Sequence, residues 1–127
     1  MTGDLCIQQG SSAWPDFLDE EVKKWWASKF LLENYKGTTL DTFTWNDMNE
    51  PSMFNGPEIT FPKDALHLNG FEHRSVHNIY GQNLVKATHR GHLERSNGER
   101  RPFVLTRSTF AGSQRYGKRE AAYLCVC

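Results

Sequence analysis

The chain has 127 residues, with 15 basic and 15 acidic side chains, no net charge and a pI near 7.0. This length allows at most one small domain, because a complete (β/α)8 barrel needs roughly 200–250 residues. The balanced charge gives no reason to expect binding to nucleic acid or to a membrane surface. Four Trp and eight Phe in so short a chain indicate a packed core rather than disorder.

The cysteines and the chain ends say little about structure. The three cysteines, Cys6, Cys125 and Cys127, are an odd number and predict no disulfide framework. The segment 1–10 has neither the basic nor the apolar region of a signal peptide, and 121–127 is too short to span a bilayer. We therefore expect no membrane insertion, and composition alone indicates no compartment.

The first predicted elements are a helix and a strand. Asp19 is a suitable N-cap, and apolar residues then recur at helical spacing until Lys36 and Gly37 end the helix. The recurring residues are Val22, Trp25, Trp26 and Phe30. An apolar, β-prone stretch at 40–46 predicts the strand.

The second half of the chain repeats this order. Residues 47–74 have no clear period, and an irregular stretch of this length is usually functional, as a βα loop on the catalytic face of a barrel would be. A helix is predicted at 75–95, ended by Ser96-Asn97-Gly98, and a short buried strand at 103–106. The alternation of helices and strands predicts the α/β class with a parallel sheet.

A carboxylate follows the first strand directly, in the run Trp45-Asn46-Asp47-Met48-Asn49-Glu50-Pro51. Parallel α/β barrels keep their catalytic residues at the carboxyl ends of strands. Strand side chains alternate, so Trp45 and Asp47 share one face and form an aromatic surface beside an acid, which suits a sugar ring. Without further information, Asp47 as a cap of the turn before Pro51 is an equally serious interpretation, and for Trp45 taken alone a core aromatic is the favoured one.

The motif WNDMNEPS, followed by FNGPE, EHR, HNIYG and RPFVLTRSTFAGSQRYG, resembles the catalytic domain of glycoside hydrolase family 31, in particular its neutral α-glucosidases. The resemblance covers 10–117 and implies a partial (β/α)8 TIM-type barrel of about two β/α units, roughly a quarter of a barrel. Segments 1–9 and 118–127 depart from the family pattern. We therefore expect a barrel fragment that lacks the family's general acid, an Asp that follows the GSQRYG-type segment.

The resemblance also implies roles for individual residues in a retaining mechanism, which uses two carboxyl groups roughly 5–5.5 Å apart. Asp47 is expected to be the catalytic nucleophile, and Glu50 to support it by accepting hydrogen bonds from the loop. Trp45 and Met48 are expected to line the sugar subsite. Arg107 ends the neighbouring strand and is expected to keep Asp47 ionised and to contact substrate, although a surface arginine at a strand end is the alternative.

Two further patterns carry less information. His73 and His77 have the i, i+4 spacing of a zinc site, but the HExxH order and a third ligand are absent. We therefore expect no metal, and read Glu72, His73 and Arg74 as a hydrogen-bonding cluster. The basic residues of 86–101 alternate with acids and predict a solvated helix face.

The leading hypothesis is a fragment of a retaining α-glucosidase that hydrolyses terminal α-linked glucose from glycans or oligosaccharides, and that is inactive in isolation. The resemblance implies no cofactor, an α-glucoside or glucosylated N-glycan as substrate, and a non-catalytic β subunit as a partner of full-length relatives. It implies the endoplasmic-reticulum lumen, with the cytoplasm as alternative. A non-enzymatic truncated product and a carbohydrate-binding α/β fragment that uses Trp45 remain open.

Overall fold

The computed structural model describes residues 13–54 and 56–119, the last two by their backbone alone. These residues form helices α1 (Glu20–Ser28) and α2 (His73–Arg95), strands β1 (Thr44–Asn46), β2 (Val104–Thr106) and β3 (Lys118–Arg119), and 3-10 helices at Leu68–Gly70 and Ser113–Arg115. The three cysteines, the segment 1–9 and all but the first two residues of 118–127 lie outside the described residues.

The strands form one parallel sheet in the order β1–β2–β3. The register of β1 on β2 is Thr44 with Val104, Trp45 with Leu105, and Asn46 with Thr106. Because parallel neighbours cannot be joined by a hairpin, α2 serves as the crossover between them. The predicted α/β class with a parallel sheet is confirmed.

Helix α1 begins as predicted but ends early. The Asp19 carboxylate accepts a hydrogen bond from the backbone N–H of Glu21 at 2.8 Å, which confirms its role as N-cap. The expected end at Lys36 is wrong, because the helix stops at Ser28. The Ser28 carbonyl accepts the side-chain amide of Asn34 at 2.8 Å and the backbone N–H of Leu31 at 3.3 Å, so a side chain and a tighter i, i+3 turn replace a further α-helical turn.

Strand β1 is also shorter than the predicted range 40–46, since only Thr44–Asn46 pair. Residues before it form turns in which the backbone N–H of Thr39 donates to the Thr42 hydroxyl at 3.0 Å. Threonine hydroxyls compete in this way with the hydrogen bonds of a strand. Strand β2 likewise begins at Val104, one residue later than predicted.

Helix α2 matches its predicted course closely. It begins at His73 rather than 75 and ends at Arg95, as expected. The chain then enters the left-handed region at Asn97 (φ 51°) and Gly98 (φ 77°), which stops the helix. Neither α1 nor α2 has the length and apolar character needed to cross a bilayer.

The core lies mainly between α1 and α2. Its buried members are Phe17, Tyr80, Leu84 and Ala87, with Trp14 and Trp26 packed against them. The Trp26 indole N–H donates to the Thr88 hydroxyl at 2.9 Å, which satisfies the polar end of a partly buried aromatic side chain. The helices approach closely at Gly91, which carries no side chain to separate them.

The two faces of the sheet differ in what covers them. Val104 and Thr106 are fully buried, and Thr44 Oγ1 lies 2.7 Å from Nε2 of His92 on α2. The opposite face carries Trp45, which is 55% exposed. Because side chains alternate along a strand, Asp47 follows on the same face as Trp45.

The close approach of the two helices predicts that Gly91→Ala destabilises the fold. Alanine favours a helix by about 1 kcal/mol over glycine, but the added Cβ would lie 2.6 Å from the Ala27 carbonyl oxygen and 3.0 Å from Phe30 Cβ. We expect the free energy of unfolding in urea to fall by about 1–3 kcal/mol. The control is Gly56→Ala, where a Cβ would meet nothing within 4 Å. Equal stability of both variants would contradict the close contact.

Candidate active site

The carboxyl ends of β1 and β2 bring an acidic and a basic side chain together. Asn46 and Thr106 are strand partners, so Asp47 and Arg107, the next residues, emerge side by side. The Arg107 backbone N–H donates to the Asn46 carbonyl at 3.3 Å, which extends the ladder by one step. Arg107 Nε lies 3.3 Å from Asp47 Oδ1. The predicted proximity of the two side chains is therefore confirmed.

Glu50 is the stronger partner of the same arginine. Arg107 Nε donates to Glu50 Oε1 at 2.8 Å, and Nη2 donates to Oε2 at 2.9 Å. Such a two-point pair between a guanidinium and a carboxylate is strong and fixes the plane of both groups. The expectation that Glu50 accepts its hydrogen bonds from the loop is wrong. The donor is Arg107, which follows the neighbouring strand and reaches both carboxylate oxygens.

The carboxylates of Glu50 and Asp47 differ in solvent exposure. Glu50 is 7% exposed, whereas the side chain of Asp47 is 34% exposed. Asp47 Oδ1 also accepts the backbone N–H of Met48 at 2.8 Å. A molecule approaching the open face of the sheet therefore meets Asp47, while Glu50 stays behind the arginine.

The two residues expected to line a sugar subsite lie on either side of Asp47 in sequence. Trp45 is exposed on the face that Asp47 shares. Met48 is partly buried and has a left-handed backbone conformation (φ 56°), which is uncommon for a side chain with a Cβ. This conformation turns the chain away from the direction of β1 directly after Asp47.

Asn49 is a central residue of the site that the sequence analysis did not single out. It is 1% exposed, and its Oδ1 accepts the Ser108 backbone N–H at 2.9 Å. Its Nδ2 donates to Thr106 Oγ1 at 2.9 Å and lies within 3.4 Å of the Gly81 and Ser108 carbonyl oxygens. Asn49 therefore fastens the loop after β1 to the loop after β2. The sequence did contain a signal for this role, because Asn49 is a polar residue inside the motif that carries Asp47.

The packing around Asn49 leaves no spare room. A Cβ added at Gly81 would lie 2.7 Å from the Asn49 carbonyl oxygen and 2.7 Å from Ser108 Oγ. Helix α2 thus presses its backbone against both strand-end loops at once. The absence of a side chain at this helical position is what permits the contact.

His73 and His77 belong to a row of three imidazoles. Nε2 of His73 lies 2.7 Å from Nδ1 of His77, and Nδ1 of His73 lies 2.9 Å from Nε2 of His67. Among the residues that the structure describes, no group of three or more His, Cys, Asp or Glu side chains is arranged to hold a metal ion. Burial, together with the neighbouring imidazoles of His77 and His67, lowers the pKa of His73 to about 4. The predicted cluster of Glu72, His73 and Arg74 is therefore incomplete, because His73 bonds to other histidines while Arg74 pairs with Glu72.

Comparison with known proteins assigns the chain to a family. Residues 2–119 match the family model of the "Glycosyl hydrolases family 31 TIM-barrel domain". The chain belongs to glycoside hydrolase family 31. The parallel sheet with its crossover helix agrees with this description of a TIM-barrel domain, as the sequence predicted. The finer division at 10–117 stays a prediction.

Known members of the family are closely similar over most of the chain. It is 57% identical to a "Probable glucan 1,3-alpha-glucosidase" of Oryza sativa and 56% identical to human "Neutral alpha-glucosidase AB", each over 108 residues and 85% of this chain. It superimposes on the crystal structure of an ER glucosidase II complex of catalytic subunit and regulatory-subunit binding domain, with a TM-score of 0.79 and 52% identity over 84% of this chain. The aligned part is 11–12% of each of those chains, so the chain spans about an eighth of their length.

The pairing of Arg107 with Glu50 predicts a specific effect of Arg107→Lys. Lysine keeps the positive charge but cannot make two parallel hydrogen bonds to one carboxylate. We expect the free energy of unfolding in urea to fall by about 1–3 kcal/mol, because buried Glu50 loses part of its pairing.

Arg100→Lys is the matched control for this variant. Arg100 pairs with Asp41 at 2.6 Å, but both side chains are more than half exposed. Surface pairs of this kind contribute about 0–1 kcal/mol. If both variants lost the same small amount, the Arg107–Glu50 pair would not be structurally important.

Proposed function

We propose that Asp47 is the catalytic nucleophile of a retaining α-glucosidase to which this chain contributes the strand ends β1 and β2. The observation that carries the proposal is that one arginine contacts two carboxylates, one partly exposed to solvent and the other buried. Asp47 faces the open side, and Glu50 holds the arginine from the buried side. This division provides one carboxylate that can reach a substrate and one that orients the cation beside it.

In the proposed reaction, an oxygen of Asp47 attacks the anomeric carbon of the glucoside while the bond to the leaving oxygen breaks. The leaving oxygen takes its proton from a general acid. The family resemblance implies that this acid is an Asp that follows the GSQRYG-type segment. The glycosyl ester on Asp47 is then hydrolysed by water, which restores the carboxylate. Retention follows because the anomeric carbon is inverted twice.

Arg107 and Glu50 are positioning groups in this reaction. Arg107 keeps a positive charge 3.3 Å from Asp47, directly beside the carboxylate proposed as the nucleophile. Glu50 fixes the plane of the guanidinium through two hydrogen bonds, so the charge does not swing away when substrate binds. Trp45 and Met48 are proposed to line the subsite that holds the glucose ring.

The relatives suggest the substrate class and setting of the whole protein. One is named a neutral α-glucosidase, and the superimposed structure is an ER glucosidase II complex with a regulatory subunit. We extend this to the present protein as a proposal: hydrolysis of terminal α-linked glucose from a glycan or oligosaccharide, in the endoplasmic-reticulum lumen, with a non-catalytic β subunit as partner. No cofactor is needed for this chemistry.

The role of Asp47 can be tested in a chimera in which residues 10–117 replace the aligned segment of human neutral α-glucosidase AB, which is 56% identical. Asp47→Asn removes the nucleophilic oxygen, since an amide cannot form the glycosyl ester. We expect turnover of an aryl α-glucoside to fall by at least about 10³-fold. A cyclitol epoxide should label Asp47, identified by mass spectrometry of the labelled peptide.

Asp41→Asn serves as the control in the same chimera. Asp41 is an exposed carboxylate before β1 that pairs with Arg100, so its loss should leave turnover unchanged. Covalent labelling of Glu50 with Asp47 unmodified would overturn the assignment.

The 127-residue chain by itself is expected not to hydrolyse glycosides. General acid catalysis contributes about 10²–10⁴-fold. Glu50 accepts from Arg107 through both oxygens, so it is in no position to deliver a proton. An aryl α-glucoside needs the least acid assistance and is the fairest substrate. Its hydrolysis should not exceed that of an Asp47→Ala variant; activity that this substitution abolishes would contradict the expectation.

A further inference from the structure

Four side chains that the proposed hydrolysis does not use form a continuous hydrogen-bonded chain. Asp16 Oδ1 lies 2.6 Å from His67 Nδ1, His67 Nε2 lies 2.9 Å from His73 Nδ1, and His73 Nε2 lies 2.7 Å from His77 Nδ1. Asp16 precedes α1, His67 belongs to the loop after β1, and the other two lie on α2. We call these four residues the histidine chain.

The middle of the histidine chain is closed to solvent. His73 is fully buried, with the ring of Phe61 at 5.1 Å and that of Tyr80 at 5.9 Å from its own. Both of its ring nitrogens face another imidazole. Any proton that His73 gains or loses must therefore pass through His67 or His77, and of these His77 lies at the free end of the chain.

Asp16 sets the direction of the hydrogen bonds. Although burial opposes it, hydrogen bonds from His67 and from the backbone N–H groups of Leu18 and Leu68 hold the pKa of Asp16 below its usual range. An ionised carboxylate only accepts, so His67 donates from Nδ1. Its Nε2 then accepts from Nδ1–H of His73, whose Nε2 accepts from Nδ1–H of His77. In the neutral chain every imidazole carries its hydrogen on Nδ1, and Nε2 of His77 keeps a lone pair.

We propose that the histidine chain is a proton-binding site that takes up one proton at Nε2 of His77 and holds it on His67 beside Asp16. The N–H bond formed at His77 Nε2 releases the Nδ1 proton of His77 to Nε2 of His73. The Nδ1 proton of His73 then moves to Nε2 of His67. One proton has entered, His67 carries hydrogens on both nitrogens, and His73 and His77 are neutral with their hydrogens on Nε2.

The charges around the chain favour this final position. The carboxylate of Asp16 contacts His67 directly, whereas burial lowers the pKa of His73 to about 4. Burial and the positive charge of Lys63 also lower the pKa of His77, against the opposing charges of Glu50 and Glu58. Burial raises the pKa of the Tyr80 phenol, which stays protonated and donates to the Pro15 carbonyl at 2.8 Å. The excess charge therefore rests at the end of the chain that has a carboxylate.

This arrangement is distinct from a metal site, and none of its four residues belongs to the hydrolase site. The two nitrogens of His73 face different imidazoles, so the three rings cannot direct lone pairs at one ion. The histidine chain joins the segment before α1, the long loop after β1 and the start of α2. Proton uptake therefore changes the hydrogen bonds between three separate parts of the fold. It does not depend on the roles proposed for Asp47 and Arg107.

The test is a pH titration of the 127-residue chain with ¹⁵N-labelled histidine, following both ring nitrogens of each imidazole from about pH 8 to about pH 5, where imidazoles ordinarily titrate. At high pH we expect His67, His73 and His77 to carry hydrogen on Nδ1. On acidification, His67 should become protonated on both nitrogens while His73 and His77 switch to Nε2–H with the same midpoint. Protonation of both nitrogens of His73 or His77 in that step, or a neutral His67, would overturn the proposal.

Two variants sharpen the titration, and the wild-type tautomers decide the proposal even if a variant fails to fold. Asp16→Asn removes the charge that holds the proton, so the shared midpoint should move down by one pH unit or more. Asp41→Asn, which removes an exposed carboxylate paired with Arg100, should leave it unchanged. His89 packs against Tyr116, and burial lowers its pKa; it serves as an internal reference because Asp16→Asn should leave its titration unchanged. No glycoside enters the measurement, so its outcome is separate from that of the hydrolase proposal.

Discussion

Three backbone pairs align β1 with β2, and the positions of the charged side chains at the end of the sheet follow from that register. Asn46 lies opposite Thr106, so Asp47 and Arg107 leave the sheet at the same edge and on the same face. A shift of one residue would turn one of the two side chains to the other face, because side chains alternate along a strand. The crossover through α2 is what makes the pairing parallel and brings both carboxyl ends to one edge.

The register alone does not hold Arg107 in place, and its pairing with Glu50 supplies the missing constraint. A carboxylate as buried as Glu50 is costly unless it is paired, so the fold retains the arginine beside it. Asn49 then fastens the two strand-end loops to each other through hydrogen bonds that reach both. The exposed carboxylate of Asp47 is thereby set against a cation that has little freedom to move.

The loop after β1 is ordered by contacts that involve neither Asp47 nor Arg107. Antiparallel bridges join Ser52 to Thr60 and Leu66 to Glu72, and Asp16 accepts the Leu68 backbone N–H. The histidine chain adds side-chain bonds between the same loop and α2. A long irregular segment is held in one conformation when its own polar groups are satisfied in this way, and its two ends support separate polar clusters.

Much of the local structure was determined by the sequence itself. The N-cap at Asp19, the course of α2 and the parallel α/β order follow from neighbouring residues, and so does a carboxylate directly after a strand. The partner of Glu50 and the bond between His67 and Asp16 were decided by the tertiary structure. These depend on residues distant in sequence: Arg107 lies 57 positions from Glu50, and Asp16 lies 51 from His67. Periodicity and capping report on the residues within a turn or two, whereas such pairings exist only once the helices and strands have packed.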